Sequence, residues 1–549
     1  MIKRFLFYNH KYWYLILISL IFHLLAAYFS QGFYEQDEHF SILEPITFKL
    51  GENATLGWDF FLNYDKQWFL SFFYYYLIKF LENFGVVNPF QWAFIIRLTS
   101  SILGWLSIIC LIHFTLKQIS NKNLIQPLFF ISSLFWFYPY IHARPASENL
   151  SIIFLIFAIT IFSFFSKNRK ILILCGLFFG ISFAIRYTNI FILVFFAFWA
   201  ILFRKVGIIE VIILTLSFLF ICLISVLIDY WGYGVFFPLN SLVVINYFKF
   251  NDYAMNTGYF NTNTEAWWFN FYFIIKEFLP PLSILIIICI ILFWIFNLNK
   301  MITWITLPYF IFISTIPHKE TRFLFPILML SPYFITMVFD KFYRFKKIYS
   351  NKFILKTTTK IIVFTLIFIN CFALIILSLF PANNSTLLYK YLYENKNNFN
   401  KIYTIDKIPY KKSDLLINFY RNKDIYFTKI TSEEECKKIG NEINTIDNFK
   451  VKNLNKETEI YEIQKYSYPK WVYKYSVICN LKTYFNDLII TKKTYFLINK
   501  FKNLSYLIEN KNMLCERVYS TIPSIFIYLN IENLFKNLSS WNVYECKKI

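Results

Sequence analysis

Long apolar runs dominate the first 380 residues of the chain, whereas residues 381–549 are rich in Lys, Asn, Tyr and Glu. Eleven of these runs are about 15–26 residues long, close to the length of a helix that crosses the hydrocarbon core of a bilayer. They lie at 12–29, 91–116, 124–141, 149–165, 171–185, 187–203, 207–228, 279–297, 301–316, 323–339 and 361–380. The pattern predicts an all-α polytopic membrane protein with about eleven transmembrane helices.

Two apolar segments differ from an ordinary transmembrane run. The segment 67–83 is short and contains Lys79 and Glu82, so we interpret it as a helix that lies at the membrane interface. The first run follows three basic residues, as a signal peptide would, but its length of about 18 residues exceeds that of a normal signal-peptide core. We therefore predict that it is an uncleaved anchor.

Basic residues are unevenly distributed over the loops. With the N-terminus inside, the inner segments hold 18 Lys and Arg and the outer loops nine, which is the positive-inside pattern. Of the 16 acidic residues before residue 381, 14 lie outside. Besides the N-terminus, the inner segments are 117–123, 166–170, 204–205, 297–300 and 340–360. Eleven spans then place residues 381–549 on the outer face, which is lumenal or periplasmic.

Composition narrows the class of protein. The chain is 57% hydrophobic and 16% charged, which is typical of a membrane protein. Its net charge of +22 divides into +12 before residue 381 and +10 after it. Because the first group lies mostly in inner loops, we do not interpret the charge as a nucleic-acid footprint. The chain has only 12 Gly and contains neither GxxxxGK[ST] nor GxGxxG, which argues against a nucleotide-binding loop.

The C-terminal segment has the pattern of a separate domain. We divide the chain into a transmembrane module, 1–380, with its first outer loop at 30–90, and a mixed α/β domain, 381–549. STLLYKYLYENKNN predicts a helix, KIYTID a strand, and SIFIYLNIENLF and WNVYECKKI further strands and helix. This domain holds Cys436, Cys479, Cys515 and Cys546. On the outer face they would form two disulfides in one of three connectivities; the alternative is four free thiols.

Carboxylates concentrate in the first outer loop, where eight lie between Glu35 and Glu82. Asp37 and Glu38 are adjacent just after the first span. A carboxylate can act as a general base when it is partly desolvated, because its pKa then rises toward the working pH. A helix starting near Gln36 would bring Asp37 and Glu44 onto one face. The alternative is a solvated acidic loop with no catalytic role.

A second polar cluster is IPHKETRFLFPI, residues 316–327, at an outer span end. It contains His318, Lys319, Glu320 and Arg322. Ionisable residues so near a membrane are usually functional or paired, and Lys and Arg suit an anionic lipid phosphate. The alternative is snorkelling at the interface with a Glu320–Arg322 pair.

Smaller polar groups occur at other outer span ends. HARPASENL contributes Arg144 and Glu148, AIRYTN contributes Arg186, and DYWGYG begins with Asp229. Trp267 and Trp268 have the character of interfacial anchors. Arg97 lies inside the second span and should have a carboxylate partner or a snorkelling route.

Four segments resemble glycosyltransferase family 22: DEHFSILEP, IDYWGYGVFFPLNSLVVIN, GYFN…EAWWF before a Pro-Pro pair, and HKETRFLFP. Members of this family are α-mannosyltransferases of the GT-C fold that use lipid-phosphate-mannose donors and extend N-glycan precursors and glycosylphosphatidylinositol (GPI) anchors. The resemblance is strongest to the transferases that add mannose to GPI precursors, chiefly the third mannose. It spans about 37–327 and does not extend beyond residue 380.

The resemblance implies an inverting transfer of mannose from a polyprenyl- or dolichyl-phosphate-mannose donor to a lipid-linked glycan or GPI-type acceptor. Asp37 would be the base and Glu38 would orient it or the acceptor. The residues expected on the donor phosphate are His318, Lys319, Arg322, Arg144 and Arg186. The residues expected in an acceptor-binding or structural loop are His39, Glu44, Asp229, Trp267 and Trp268. No cofactor is expected and no metal is indicated, although the acidic outer loop leaves a divalent ion as an alternative. The implied partners are the bilayer, the lipid-linked donor and the acceptor.

Two other functions are also compatible with the sequence. One is a GT-C glycosyltransferase for another sugar, and the other is a non-enzymatic transporter of lipid or glycan. A transporter would place ionisable pairs near mid-membrane and often shows internal repeats, whereas the polar clusters here lie at span ends. The expected location is the endoplasmic reticulum membrane in a eukaryote or the inner membrane in a bacterium.

Overall fold

The computed structural model of the chain describes residues 2–57, 60, 66–236, 265–316, 319–346, 353–405, 407–412, 415–421, 423–430, 449–455, 460–467, 471–478, 494–498, 513–522 and 541–548. Most of the described residues before residue 395 are helical. The helices are α1 Ile2–Phe29, α2 Gln36–Glu38, α3 Glu44–Lys49, α4 Phe69–Asn83, α5 Pro89–Leu116, α6 Ile125–Ser133, α7 Tyr138–His142, α8 Ser147–Phe165, α9 Arg169–Ile185, α10 Ile190–Leu202, α11 Ile208–Tyr233, α12 Phe269–Glu277, α13 Leu282–Phe296, α14 Met301–Thr315, α15 Phe325–Leu328, α16 Ser331–Lys346, α17 Phe353–Leu379 and α18 Asn384–Glu394.

The chain divides into two compact units. The first, which we call the helical unit, comprises Met1–Ser30, Asn63–Tyr74 and Phe94–Phe380. The second, which we call the sheet unit, comprises Gln31–Leu62, Tyr75–Ala93 and Pro381–Ile549. Most of the first outer loop therefore folds with the C-terminal residues. Within the sheet unit, the backbone N–H groups of Ala382 and Asn383 both donate to the carbonyl of Gln31, at 2.9 and 3.1 Å.

Each of the eleven apolar runs lies largely on helices, so the prediction of a mostly helical membrane protein is confirmed. Two of the runs are interrupted, one between α6 and α7 and one between α15 and α16. Among the described residues, five helices are long and apolar enough to cross a membrane, or up to seven if two bent helix pairs each count as one span. The total of eleven spans, and the interfacial position of the helix at 67–83, stay predictions.

Two glycines set the packing of α9 on α11. Gly176 and Gly180 form a GxxxG pattern on α9, and small residues at this spacing let membrane helices approach closely. A Cβ on Gly176 would lie 2.7 Å from the Leu214 carbonyl oxygen, and one on Gly180 would lie 2.6 Å from the Cβ of Ile221. The close approach therefore requires glycine at both positions, and it brings the starts of α9 and α11 together.

Arg97 illustrates how a buried cation is accommodated in the helical unit. Its side chain is only 5% exposed, and its Nε donates to the backbone carbonyl of Ala27 at 2.9 Å. The carbonyl belongs to the last turn of α1, where backbone acceptors lack intrahelical partners. A helix C-terminus thus contributes to the stabilisation of Arg97.

An eight-stranded mixed sheet forms the centre of the sheet unit. Its strand order is β5-β6-β7-β4-β1-β8-β10-β9, with parallel pairing from β7 to β8 and antiparallel pairing on both sides. A small β2–β3 pair accompanies it. The strands are β1 Lys401–Ile405, β2 Lys411–Lys412, β3 Leu415–Leu416, β4 Tyr426–Ile430, β5 Phe449–Asn455, β6 Ile460–Ser467, β7 Trp471–Ile478, β8 Thr494–Ile498, β9 Met513–Ser520 and β10 Asn542–Lys548.

Three of the predicted C-terminal elements occur in the sheet unit. The predicted helix corresponds to α18, KIYTID to β1 and WNVYECKKI to β10, so the strand-containing C-terminal region is confirmed. SIFIYLNIENLF lies outside the described residues. The central strands are buried, with Ile402, Phe427 and Phe496 each at most 1% exposed. Such near-complete burial is typical of parallel strands.

A disulfide joins Cys515 to Cys546, which face each other on β9 and β10. Cys436 and Cys479 lie outside the described residues. The bridge has a sequence separation of 31 residues, and closing a loop of that size stabilises a fold by about 3.5 kcal/mol through the unfolded chain. Disulfides persist in oxidising compartments, which agrees with an outer position for the sheet unit.

We expect this disulfide to be detectable in native membranes. Each protein is denatured, and its maleimide-reactive thiols are counted before and after reduction. Reduction should release two more thiols in the wild type than in the Cys515→Ser/Cys546→Ser double variant. Mass-shift gels with a polyethylene glycol maleimide would count them. An equal gain in the two proteins would show that the bridge does not form in the cell and would remove this support for an outer position.

Candidate active site

The short helix α2 carries the adjacent carboxylates Asp37 and Glu38, and it begins at Gln36 as the sequence predicts. Glu38 is 4% exposed, and its Oε1 accepts hydrogen bonds from the backbone N–H groups of Tyr34 at 3.2 Å and Glu35 at 3.3 Å. These bonds satisfy donors at the start of the helix, as in a capping box. Glu38 therefore shapes the turn that positions Asp37, whose side chain is half-buried.

A π-helical turn, His39–Leu43, follows α2 directly. Such turns are rare and occur frequently at functional sites. The turn changes the residue spacing between α2 and α3, so the regular α-helical face predicted for Asp37 and Glu44 is interrupted. It places the His39 ring 2.9 Å from the Glu44 carboxylate, with both side chains fully buried. The phenol ring of Tyr420 stacks on His39 with 5.7 Å between ring centroids.

The Glu44 carboxylate is a hydrogen-bond hub within the sheet unit. Its Oε1 accepts from the backbone N–H groups of Asn418 at 2.6 Å and Phe419 at 3.0 Å. Its Oε2 accepts from the Thr55 N–H at 2.7 Å and the Asn418 side-chain amide at 3.2 Å. Buried carboxylates require such partners. Glu44 therefore ties the first outer loop to the residues after β3, and His39 and Glu44 are part of the scaffold of this loop.

The helical unit has its own polar cluster, which joins AIRYTN, HARPASENL and HKETRFLFP. Glu148, at the start of α8, forms an ion pair with Arg186 and a longer one with Arg322, at 3.6 Å. Arg322 also pairs with Glu320. The Phe323 ring lies 5.3 Å from the Arg186 guanidinium and 5.7 Å from that of Arg322. We call Glu148, Arg186, Glu320 and Arg322 the arginine cluster.

Lys319 precedes the arginine cluster residues 320 and 322 along the chain and is 4% exposed. Its ammonium donates to the carbonyls of Ser314 at 3.1 Å and Ile316 at 2.6 Å, at the C-terminal end of α14. Burial lowers the pKa of Lys319, and the negative charge of Glu265 partly opposes this shift. The lysine is thus held by backbone oxygens at a helix end, where a cation is favoured. His318 lies outside the described residues.

Arg144 lies deep in the helical unit and is 1% exposed. Its Nη2 donates to the backbone carbonyl of Ser30 and, at 2.6 Å, to the Ser30 hydroxyl. Its own carbonyl accepts from the Ser100 hydroxyl at 3.0 Å and from the Asn149 amide at 2.8 Å. These contacts link the end of α1 to the turn before α8, so Arg144 has a structural role in addition to any contact with substrate.

Asp229 and the two tryptophans occupy different surroundings. Asp229 is fully buried near the end of α11, and its Oδ1 accepts from the Trp68 N–H at 2.9 Å. Trp267 and Trp268 are 65% and 49% exposed just before α12. Among the described residues, none of these three belongs to the arginine cluster. Exposed indole rings at a helix start are typical of membrane-interface anchors.

The structure thus brings together Arg186 and Arg322, and it adds Glu148 as the residue that joins them. The sequence places Glu148 in a polar group at an outer span end but gives it no role in the site. The available signal was a lone carboxylate at an outer span end, since a charge there needs a partner. Its partners are 38 and 174 residues away in the chain, which a single sequence does not reveal.

Comparison with known proteins gives the family. A profile of the Alg9-like mannosyltransferase family matches residues 13–417. GPI mannosyltransferase 3 of Candida albicans is 26% identical over 336 residues, which is 59% of this chain and 63% of that relative, less than two thirds of its length. Crystal structures of ArnT from Cupriavidus metallidurans are also similar, at 9% identity. The undecaprenyl phosphate-bound structure aligns with a TM-score of 0.47 over 92% of this chain and 96% of ArnT. The apo structure aligns with a TM-score of 0.46 over 91% and 94%. On the family match, the chain belongs to the Alg9-like mannosyltransferases.

Proposed function

We propose that this protein is a multi-pass membrane enzyme that transfers mannose from a polyprenyl- or dolichyl-phosphate-mannose donor to a lipid-linked glycan or GPI-type acceptor. Its product would be an α-mannoside. The family match supports the enzyme class, and it covers every candidate site residue. The relative named GPI mannosyltransferase 3 supports a GPI-type acceptor.

The observation that carries the donor assignment is the arginine cluster with Lys319. Two arginines meet at the carboxylate of Glu148, and Lys319 lies three residues before Arg322 in the chain. The loop charges favour an outer position for these helix ends. An arginine guanidinium binds phosphate oxygens in a bidentate manner, which suits the phosphodiester of a lipid-linked sugar. Glu320 is the more exposed partner of Arg322, at 25%. We propose that the donor phosphate replaces Glu320 on Arg322.

The proposed reaction is a single displacement at the anomeric carbon of mannose. An acceptor hydroxyl oxygen forms the new C–O bond while the bond from that carbon to the phosphate oxygen breaks. The hydroxyl proton passes to a carboxylate base, and the electron pair leaves on the lipid phosphate. Because this leaving group is already a stabilised anion, cations can neutralise its charge without an acid catalyst. One base is then sufficient, and the configuration inverts.

Asp37 is the residue that we propose as the base. It is half-buried at the start of a helix whose turn Glu38 holds in place. A partly desolvated carboxylate is a stronger base than one in bulk water. Glu38 would act as a positioning residue, since its Oε1 is engaged by two backbone N–H groups. The same chemistry leads us to propose that the reaction needs no metal ion or cofactor.

We also propose that the sheet unit lies on the lumenal or periplasmic side. The positive-inside pattern and the Cys515–Cys546 disulfide both support this side. A GPI-type acceptor would place the enzyme in the endoplasmic reticulum membrane, and a bacterial chain would lie in the inner membrane. The transmembrane module 1–380 contributes most of its first outer loop to the sheet unit, and the domain 381–549 forms the rest of that unit. Their common position on the outer face is part of this proposal.

An Arg322→Gln variant should bind the donor less well. A charge-assisted hydrogen bond contributes roughly 1.5–3 kcal/mol, so the KM for the lipid-phosphate-mannose donor should rise about 10- to 100-fold. Arg322→Lys keeps the charge but not the bidentate geometry and should recover part of the loss. Steady-state kinetics with varied donor concentration would measure both variants.

Lys276→Gln is the matched control, because Lys276 is an exposed cation at an outer position outside the arginine cluster. It should leave the donor KM unchanged. If Arg322→Gln had the same kcat and donor KM as Lys276→Gln, the arginine cluster would not bind the donor phosphate.

A further inference from the structure

A cavity of about 960 Å³ opens at the inner ends of helices in the helical unit, on the side opposite the proposed donor site. It is lined by the residue that follows α5, by the last turn of α8 and the residues after it, by the start of α9, and by residues that follow α10 or begin α11. Five of its lining residues are cations, which come from three separate inner segments: Lys117, Lys167, Arg169, Lys170 and Arg204. We call this space the basic cavity.

The fold brings these cations together by specific contacts. The glycine-mediated packing of α9 on α11 places Arg169 3.5 Å from Glu210, near the start of each helix. The Arg204 guanidinium donates to the Ser166 hydroxyl at 3.4 Å. The Lys117 ammonium donates to the Ser163 carbonyl. The three inner segments are therefore joined to one another around the cavity.

The charges that line the cavity do not balance. Glu210 is the one carboxylate among its lining residues, against five cations. Burial lowers the pKa of Lys117, and the positive charge of Arg204 lowers it further. Like charges held this close repel each other, and a bound anion would relieve the repulsion. The geometry thus favours a ligand with more than one negative charge.

The position of the cavity identifies the kind of anion. Its cations lie at the ends of spans, at the level of the lipid headgroups, and all five are exposed to solvent. Phe164 and Phe165 form an apolar part of its wall. Basic pockets between transmembrane helices on the cytoplasmic side bind phosphorylated lipid headgroups. A headgroup at this site could extend its acyl chains into the bilayer beside the helices.

We propose that the basic cavity binds an anionic phospholipid of the inner leaflet through a phosphomonoester headgroup. The site is separate from the donor site, because none of its residues belongs to the arginine cluster. The proposal does not depend on the transferase activity. A protein without that activity would bind the lipid equally well.

Binding of phosphatidic acid to the full chain in phosphatidylcholine nanodiscs tests this proposal. Each cation near a membrane surface increases the affinity for an anionic lipid roughly five-fold. The Lys117→Gln/Arg204→Gln double variant should therefore bind phosphatidic acid about 25-fold less tightly than the wild type. Native mass spectrometry or a fluorescent lipid analogue would measure the bound fraction.

The matched control is Lys122→Gln/Lys300→Gln, which removes two exposed inner cations outside the cavity. It should retain wild-type binding, and 10 mM inorganic phosphate should not displace the lipid. Two results would overturn the proposal. One is equal affinity for phosphatidic acid in the two double variants. It would indicate that any two inner cations contribute equally to lipid binding, whether or not they line the cavity. The other is displacement by inorganic phosphate, which would indicate a site for a soluble anion.

Discussion

We expect the Asp37→Asn variant to transfer mannose with a kcat about 100- to 10,000-fold below that of the wild type, the usual contribution of a positioned general base. The substitution keeps the shape of the side chain and its place in α2, but an amide does not accept the acceptor's proton. The donor KM should change little, because the proposed donor contacts lie elsewhere. Measuring kcat and KM separately with purified protein would distinguish loss of the base from loss of donor binding.

Glu52→Gln is the control for this variant. Glu52 lies in the same outer loop, is 53% exposed and pairs with Lys423 at the surface. Its replacement should leave kcat within about two-fold of the wild type, because exposed ion pairs contribute little. An Asp37→Asn protein with the kcat of Glu52→Gln would show that another group takes the proton.

The second large effect concerns stability. Glu44→Gln should lower the free energy of unfolding of the sheet unit by about 3–5 kcal/mol, because a hydrogen bond to a carboxylate contributes roughly 1.5–3 kcal/mol and the amide would leave about two buried donors without an acceptor. The new amide N–H₂ would face groups that are themselves donors. Those donors are three backbone N–H groups and the Asn418 amide.

Limited proteolysis at increasing urea concentration, with a probe on the C-terminal residues, would measure this loss. The Glu52→Gln variant serves again as the reference, and its transition should shift by less than the equivalent of 1 kcal/mol. If the Glu44→Gln and Glu52→Gln variants unfolded at the same urea concentration, the Glu44 hydrogen bonds would not stabilise the first outer loop.

Local features of the fold could be predicted from the sequence, because hydrophobic periodicity and span length act within one segment. The helical runs, the helix that begins at Gln36 and the strand β1 are of this kind. The partners of Glu44, which follows the π-helical turn at His39–Leu43, could not be predicted, since they lie far along the chain. Asn418, which holds Glu44, is 374 residues away.

Residue types at the candidate site could be predicted, but their pairings could not. Because Arg186 and Arg322 lie at span ends in the sequence, each is expected to need a partner of opposite charge. Only the packing of helices shows that both meet at Glu148. Arg144 has the same sequence signal, yet the structure gives it a buried contact with Ser30. A charge pattern thus indicates that a partner exists, and the tertiary contacts determine which one.

The central claim is that this chain uses a lipid-phosphate sugar as its donor. The most direct measurement is mannose transfer by the purified protein, reconstituted with a GPI-precursor acceptor and radiolabelled dolichyl-phosphate-mannose or GDP-mannose. The proposed function predicts transfer from the lipid donor only, into a product that α-mannosidase cleaves, with the transfer strongly reduced in Asp37→Asn. Transfer from GDP-mannose alone, or an equal yield from wild type and Asp37→Asn, would contradict it.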